Sequence, residues 1–136
     1  MGTVYADIIM KNALDVGVCK RGNMNESEVR QITVAALVDT GAYTLVISEA
    51  VREKLGLELR GDDWVKLANG EPEAVKKVDA VELHWQDREM ICQPVVLPRI
   101  DEVLLGAIPL EGLDLIVGAK NEELIGRHGD RAIFRI

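Results

Sequence analysis

Alternation of apolar and polar positions dominates this chain. Strand-length segments rich in β-branched residues run over Thr3 to Met10, Val29 to Val38, Ala42 to Ile47, Trp64 to Ala68, Val75 to Trp85, Arg88 to Val96 and Arg131 to Ile136. Helical spacing is confined to two short places. In Ser48 to Leu55, Ser48 is suited to cap the orphan N–H groups, Glu49 to the positive end and Gly56 to a left-handed stop, with Ala50, Val51 and Leu55 as the apolar face. In Pro109 to Val117, a proline without an N–H suits the first turn and Gly118 ends the run. Asn69-Gly70 is the pair preferred in a type I′ hairpin, Gln86-Asp87 makes a second tight turn, and Cys19 to Ser27 reads as a surface loop. Alternation and apolar flanks assign Ile32, Val34, Leu45, Val46, Leu67, Val81, Leu83, Val95, Leu104 and Leu115 to the core. Many short strands with turn signals every ten residues or so predict a mostly-β barrel or sandwich.

The length, 136 residues, suits one domain spanning residues 1–136, and neither a repeat nor a linker interrupts it. Aromatic residues make up only 4%, so the core must be aliphatic. A net charge of -7, with basic residues spread thinly, argues against a nucleic-acid partner, which needs a basic stripe. The stretch MGTVYADIIMKN lacks the basic lead and apolar core of a signal peptide, and the longest nearly apolar run, Ile32 to Ile47, is broken by Asp39. A cytoplasmic protein that crosses no membrane is expected. Cys19 and Cys92 lie far apart without metal-ligand spacing and are expected to remain thiols.

Asp39 breaks the local pattern. It stands between Ala35-Ala36-Leu37-Val38 and Thr40-Gly41-Ala42, with Leu45-Val46-Ile47 beyond. Apolar runs on both sides imply a carboxylate at a turn in or near the core, where a charge needs compensating partners. Asp-Thr-Gly taken alone is also an ordinary turn sequence. The residues C-terminal to it narrow the reading: an apolar strand, a capped helix and, some sixty residues on, Leu104-Leu105-Gly106 leading into a second helix.

This ordered set resembles the retropepsin-like aspartic proteases, single-lobe relatives of pepsin, and in wording the stand-alone prokaryotic members. The resemblance covers nearly the whole chain. Val38-Asp39-Thr40-Gly41-Ala42 is similar to the catalytic loop, the hairpin around Ala68-Asn69-Gly70-Glu71 to the flap, and Val103-Leu104-Leu105-Gly106 with the helix after it to the element that closes the lobe. It implies a single-lobe, closed β-barrel with one or two short helices and a peptide or protein substrate. Asp39 would be the catalytic carboxylate, Thr40 would bond across the dimer axis, and Gly41 would let a substrate backbone pass closely. Ala42, Tyr43, Ala68, Asn69 and Gly70 would contact substrate. No metal or organic cofactor is implied.

Metal-free peptide hydrolysis needs one ionised carboxylate to activate water and one protonated acid to hydrogen-bond the scissile carbonyl. The chain carries one Asp-Thr-Gly and is too short for two lobes, so a homodimer must bring two copies of Asp39 together. The apolar terminal segments would help to hold that dimer. A dimeric peptide-binding module without useful turnover is the alternative. Tyr43, where the family more often has a small polar or acidic residue, and the single glycine at the hairpin tip favour it. Trp64 stands on the strand leading into the hairpin, suited either to cover a peptide or to pack on the barrel. His84 and His128 have no partner at ligand spacing, and Glu49, Glu53, Asp62, Asp63, Asp101 and Glu102 read as solvated faces and turns.

Overall fold

The computed structural model describes residues 3–120 and 122–136. The chain begins with β1 (Tyr5–Asn12), α1 (Ala13–Lys20), a 3-10 turn (Glu26–Glu28), β2 (Gln31–Val38), β3 (Leu45–Ile47) and α2 (Glu49–Leu55). Four strands come next as two hairpins, β4 (Leu59–Lys66) with β5 (Pro72–Val78) and β6 (Val81–Trp85) with β7 (Arg88–Cys92). The rest is β8 (Val95–Val96), β9 (Leu104–Leu105), α3 (Ala107–Gly112), β10 (Leu115–Gly118) and β11 (Glu123–Gly126). Nine strands form one sheet in the order β4-β5-β8-β3-β9-β2-β1-β6-β7, and β10 pairs with β11 separately. The fold is mostly β, as expected, with the large sheet curled into a half-barrel whose edge strands β4 and β7 do not pair with each other.

One strand insertion shapes the loop that carries Asp39. Strand β9 lies between β2 and β3, parallel to the first and antiparallel to the second, with Val38 and Leu45 both paired to Leu105. The chain leaving β2 therefore cannot make a tight hairpin into β3. It must arch over the end of β9, and the arch is the segment 39–44.

Strand periodicity sets the core. Along β1, Ala6, Ile8, Met10 and Asn12 point inward and alternate with exposed or half-buried positions. Leu45, Val46, Val81, Leu83, Val95 and Leu115 are buried as expected, whereas Ile32, Val34, Leu67 and Leu104 are only half-buried. Helix α2 forms as read: the Ser48 hydroxyl accepts from the Val51 N–H at 3.2 Å and Gly56 takes φ 63. Among the described residues no helix is long and apolar enough to cross a membrane.

Several boundaries differ from the sequence reading. Residues 75–85 are two strands, because Asp79 turns the chain: its carboxylate accepts from the Glu58 N–H at 3.0 Å and from Arg60 at 2.8 Å. Residues 88–96 divide at Gln93-Pro94, where proline has no N–H for a ladder. The segment 42–44 belongs to the arch rather than to β3, and β4 starts five residues earlier than Trp64. The second helix is α3, six residues long. It ends before Asp114, which takes a left-handed φ of 55, so Leu115 to Val117 are strand. The expected terminal strand Arg131 to Ile136 does not form; the Ile133 N–H donates instead to the buried Asp114 carboxylate at 3.0 Å.

Among the described residues helix α1 makes three α-helices where one or two were expected, and it takes in Cys19 and Lys20 from the supposed surface loop. Buried Asn12 caps it, accepting from the Asp15 N–H at 3.1 Å and donating to Leu55 O at 2.8 Å, which ties α1 to the end of α2. Asp15, itself buried, receives Arg30 through Nε at 2.8 Å and Nη2 at 2.9 Å. The Arg30 guanidinium holds the Asp15 carboxyl below its ordinary value of 3.8, although burial pushes the other way. A depressed carboxylate contributes stability above its unfolded-state pKa and loses it as pH falls through the folded-state value. Asp15→Ala is therefore expected to cost about 2 kcal/mol at neutral pH. Urea denaturation should show the gap between mutant and parent narrowing below about pH 4; a gap independent of pH would remove the ion pair as its cause.

Candidate functional site

The arch that carries Asp39 is built almost wholly from backbone hydrogen bonds. The Asp39 N–H donates to Leu105 O at 3.0 Å, which fixes the residue to the inserted strand. The Ala42 N–H returns to Asp39 O at 3.1 Å, and the Gly41 N–H donates to Asp39 Oδ1 at 3.0 Å. One carboxylate oxygen is thus oriented from below. The side chain is half-buried, so the arch places it at the margin of the core rather than within it.

Helix α3 grips the arch from behind. Its first two N–H groups have no partners within the helix; Ala107 donates to Ala42 O at 2.8 Å and Ile108 to Tyr43 O at 3.0 Å. Gly106, before the helix, makes this approach possible. A Cβ there would lie 2.3 Å from Thr44 O and 2.5 Å from Ala42 O.

A cavity of about 660 Å³ lies beside the arch, large enough for a peptide side chain and part of its backbone. Asp39, Gly41, Ala42 and Tyr43 line one side and the β4–β5 hairpin, including Ala68, the other. Its floor is apolar, with Val46, Val75, Val95 and Leu104. The structure thus brings five of the eight candidate residues to one space. Thr40 is exposed on the arch and does not line it, and Asn69 and Gly70 sit at the hairpin tip beyond it.

The tip differs from the expected type I′ turn, which requires positive φ at both central residues. Of the pair only Gly70 has positive φ, 87. The Gly70 N–H donates to Leu67 O at 2.9 Å and the Leu67 N–H to Glu71 O at 2.8 Å, so Ala68 and Asn69 are the turn centre and Gly70 the bulge after it. Asn69 Oδ1 accepts from the Glu71 N–H at 3.0 Å and braces the tip.

The wall residues outside the eight sequence candidates include Trp64 and Asp63. Trp64 is 69% exposed and lines the cavity, so of its two readings the structure takes the one away from the barrel core. Asp63, read from sequence as part of a solvated face, also lines it, near Tyr43; burial, and secondarily the Asp63 charge, raise the Tyr43 phenol above its ordinary value. Chain folding alone brings Asp63 to Tyr43, so no local sequence signal marks it.

Comparison with known proteins picks out the same elements. The family described as gag-polyprotein putative aspartyl protease matches residues 25–111, from before β2 into α3. No curated protein matches the chain. Among solved structures it is similar to EIAV protease complexed with the inhibitor HBY-793, at 23% identity and a TM-score of 0.49, over 60% of this chain and 77% of that one.

Proposed function

The chain belongs to the gag-polyprotein aspartyl protease family, and on that premise we propose that it is an aspartic endopeptidase acting as a homodimer through paired copies of Asp39. The observation that carries this reading is the arch: a half-buried carboxylate, oriented by the Gly41 N–H, at the rim of an apolar cavity beneath a hairpin. One such carboxylate is half of what metal-free peptide hydrolysis requires.

In this reading two arches meet on a two-fold axis. Two like charges about 4 Å apart repel by roughly 4 kcal/mol at an effective dielectric of 20, so the pair retains one shared proton. The ionised Asp39 takes a proton from water as it attacks the scissile carbonyl, and the protonated Asp39 hydrogen-bonds the carbonyl oxygen as it gains charge. The proton then passes to the leaving amine. Thr40, exposed on the arch, would bond to its mate across the axis, and Gly41 would leave room for the substrate backbone. The peptide lies extended beneath the hairpin, with an apolar side chain on the Val46–Val95 floor and Trp64 over it. Closure of Ala68, Asn69 and Gly70 excludes water.

Incubation of the purified chain with an unbiased peptide library at acidic and neutral pH tests this. Cleavage beside apolar residues is expected, inhibited by a statine-type transition-state mimic. Binding without cleavage at any pH would replace the enzyme with a peptide-binding module.

A further inference from the structure

At the far end of the large sheet, the β6–β7 hairpin gathers three side chains with metal-ligand chemistry. His84 faces Glu89 across the strand pair, and Glu82 lies two residues before His84, on the same side of the strand. Glu82 comes from the same strand and Glu89 from across the strand pair. His84 Nε2 is 2.7 Å from Glu82 Oε1, and His84 Nδ1 is 3.5 Å from Glu89 Oε2. One ligand atom from each residue lies within 4.8 Å of the other two.

Both ring nitrogens therefore face carboxylate oxygens. A neutral imidazole has one N–H and one lone pair, so it satisfies one carboxylate and turns a lone pair toward the other. A metal cation at Nε2 beside Glu82 resolves that mismatch: Nδ1 keeps the N–H, and the Glu89 carboxylate swings from Nδ1 to the ion. Two carboxylates also match the charge of a dication, and an N/O donor set suits a borderline ion such as Zn²⁺ over Mg²⁺ or Ca²⁺, which favour oxygen alone. Binding at about 2.0–2.2 Å places the donors about 3.3 Å apart, so His84 Nε2 and Glu82 Oε1 open from 2.7 Å while the Glu89 oxygen moves in. The Glu89 side chain is exposed and free to make that movement, while His84 and Glu82 are more deeply set on a strand held between β1 and β7.

We propose that Glu82, His84 and Glu89 form a zinc-class divalent metal site that pins edge strand β7 to β6. Three protein donors leave a coordination position for water or for a donor from another molecule. None of the three residues lines the cleft beside Asp39. The effect of the site is on the stability of the edge hairpin.

Tag-free full-length protein, stripped with a chelator, is titrated with ZnCl₂ in a calorimeter, and its melting is followed with and without the ion. One Zn²⁺ per chain is expected, with affinity weakened at least about tenfold by each of His84→Ala, Glu82→Gln and Glu89→Gln. The melting temperature should rise with Zn²⁺ in the parent and not in His84→Ala, and Mg²⁺ should produce neither effect. Glu89→Gln alters only an exposed side chain, so it reads the site even if His84→Ala folds poorly. The proposal is overturned by absence of stoichiometric uptake, by uptake that all three variants leave unchanged, or by an equal response to Mg²⁺.

Discussion

Asp39→Asn is expected to reduce peptide cleavage by about 10³-fold or more while the protein remains folded. Asparagine keeps the shape, and its Oδ1 still accepts from the Gly41 N–H, the one side-chain bond that Asp39 makes within the chain among the described residues. The backbone bond to Leu105 is untouched. What disappears is the capacity to hold a negative charge, so unfolding curves should change by less than about 1 kcal/mol. Mixing parent and variant subunits sharpens the test. If each site needs one carboxylate from each chain, only parent pairs are fully competent, about a quarter of dimers in an equal, exchanged mixture. Subunits acting alone would retain half. Full peptidase activity in the purified variant would end the assignment of Asp39, and half-activity in the mixture would end the dimer.

The elements legible in sequence are those fixed by neighbours along the chain. Helix α2 is readable because Ser48 and Gly56 carry its start and stop, and the arch because Asp39, Gly41 and Leu104-Leu105-Gly106 keep their order. Helix α1 is not, since Val16, Gly17 and Val18 are poor helix formers; Asn12 and Asp15, which cap it and tie it to Leu55 and Arg30, act through contacts 43 and 15 residues away. The same holds for Asp79, whose partners Glu58 and Arg60 lie about twenty residues earlier and turn an unbroken β-like run into two strands. At the site, the arch is legible and its opposite wall only in part: Ala68 and one of the two readings of Trp64 point to it, whereas Asp63 reads as a solvated position. Asp63 and Trp64 reach the cavity only because β4 folds back over β3 through β5 and β8. The hairpin tip is readable as a turn, but its type depends on which residue takes positive φ, and Asn69-Gly70 permits more than one answer.

Gly106→Ala should damage stability and turnover together, because the added methyl meets backbone on two sides. Its Cβ would lie 2.3 Å from Thr44 O and 2.5 Å from Ala42 O, and neither carbonyl is the free end of a flexible side chain. Ala42 O is already held by the Ala107 N–H, so relief requires moving either the arch or the start of α3 and weakening the bonds that join them. Overpacking of this kind costs about 3 kcal/mol. The displacement is passed to Asp39, three residues before Ala42 and joined to it by a backbone bond. A shift near 1 Å at a reacting group lowers the rate by about 10²-fold. The expected pattern is a fall in kcat larger than any change in KM, accompanied by a lower urea midpoint. Gly17→Ala is the control: nothing lies within 4 Å of its added methyl, and inside α1 it should raise stability by about 0.5–1 kcal/mol without altering kcat. A Gly106→Ala protein with parental kcat and stability would show that the arch does not depend on the helix behind it, and the link from β9 through α3 to the carboxylate would have to be abandoned.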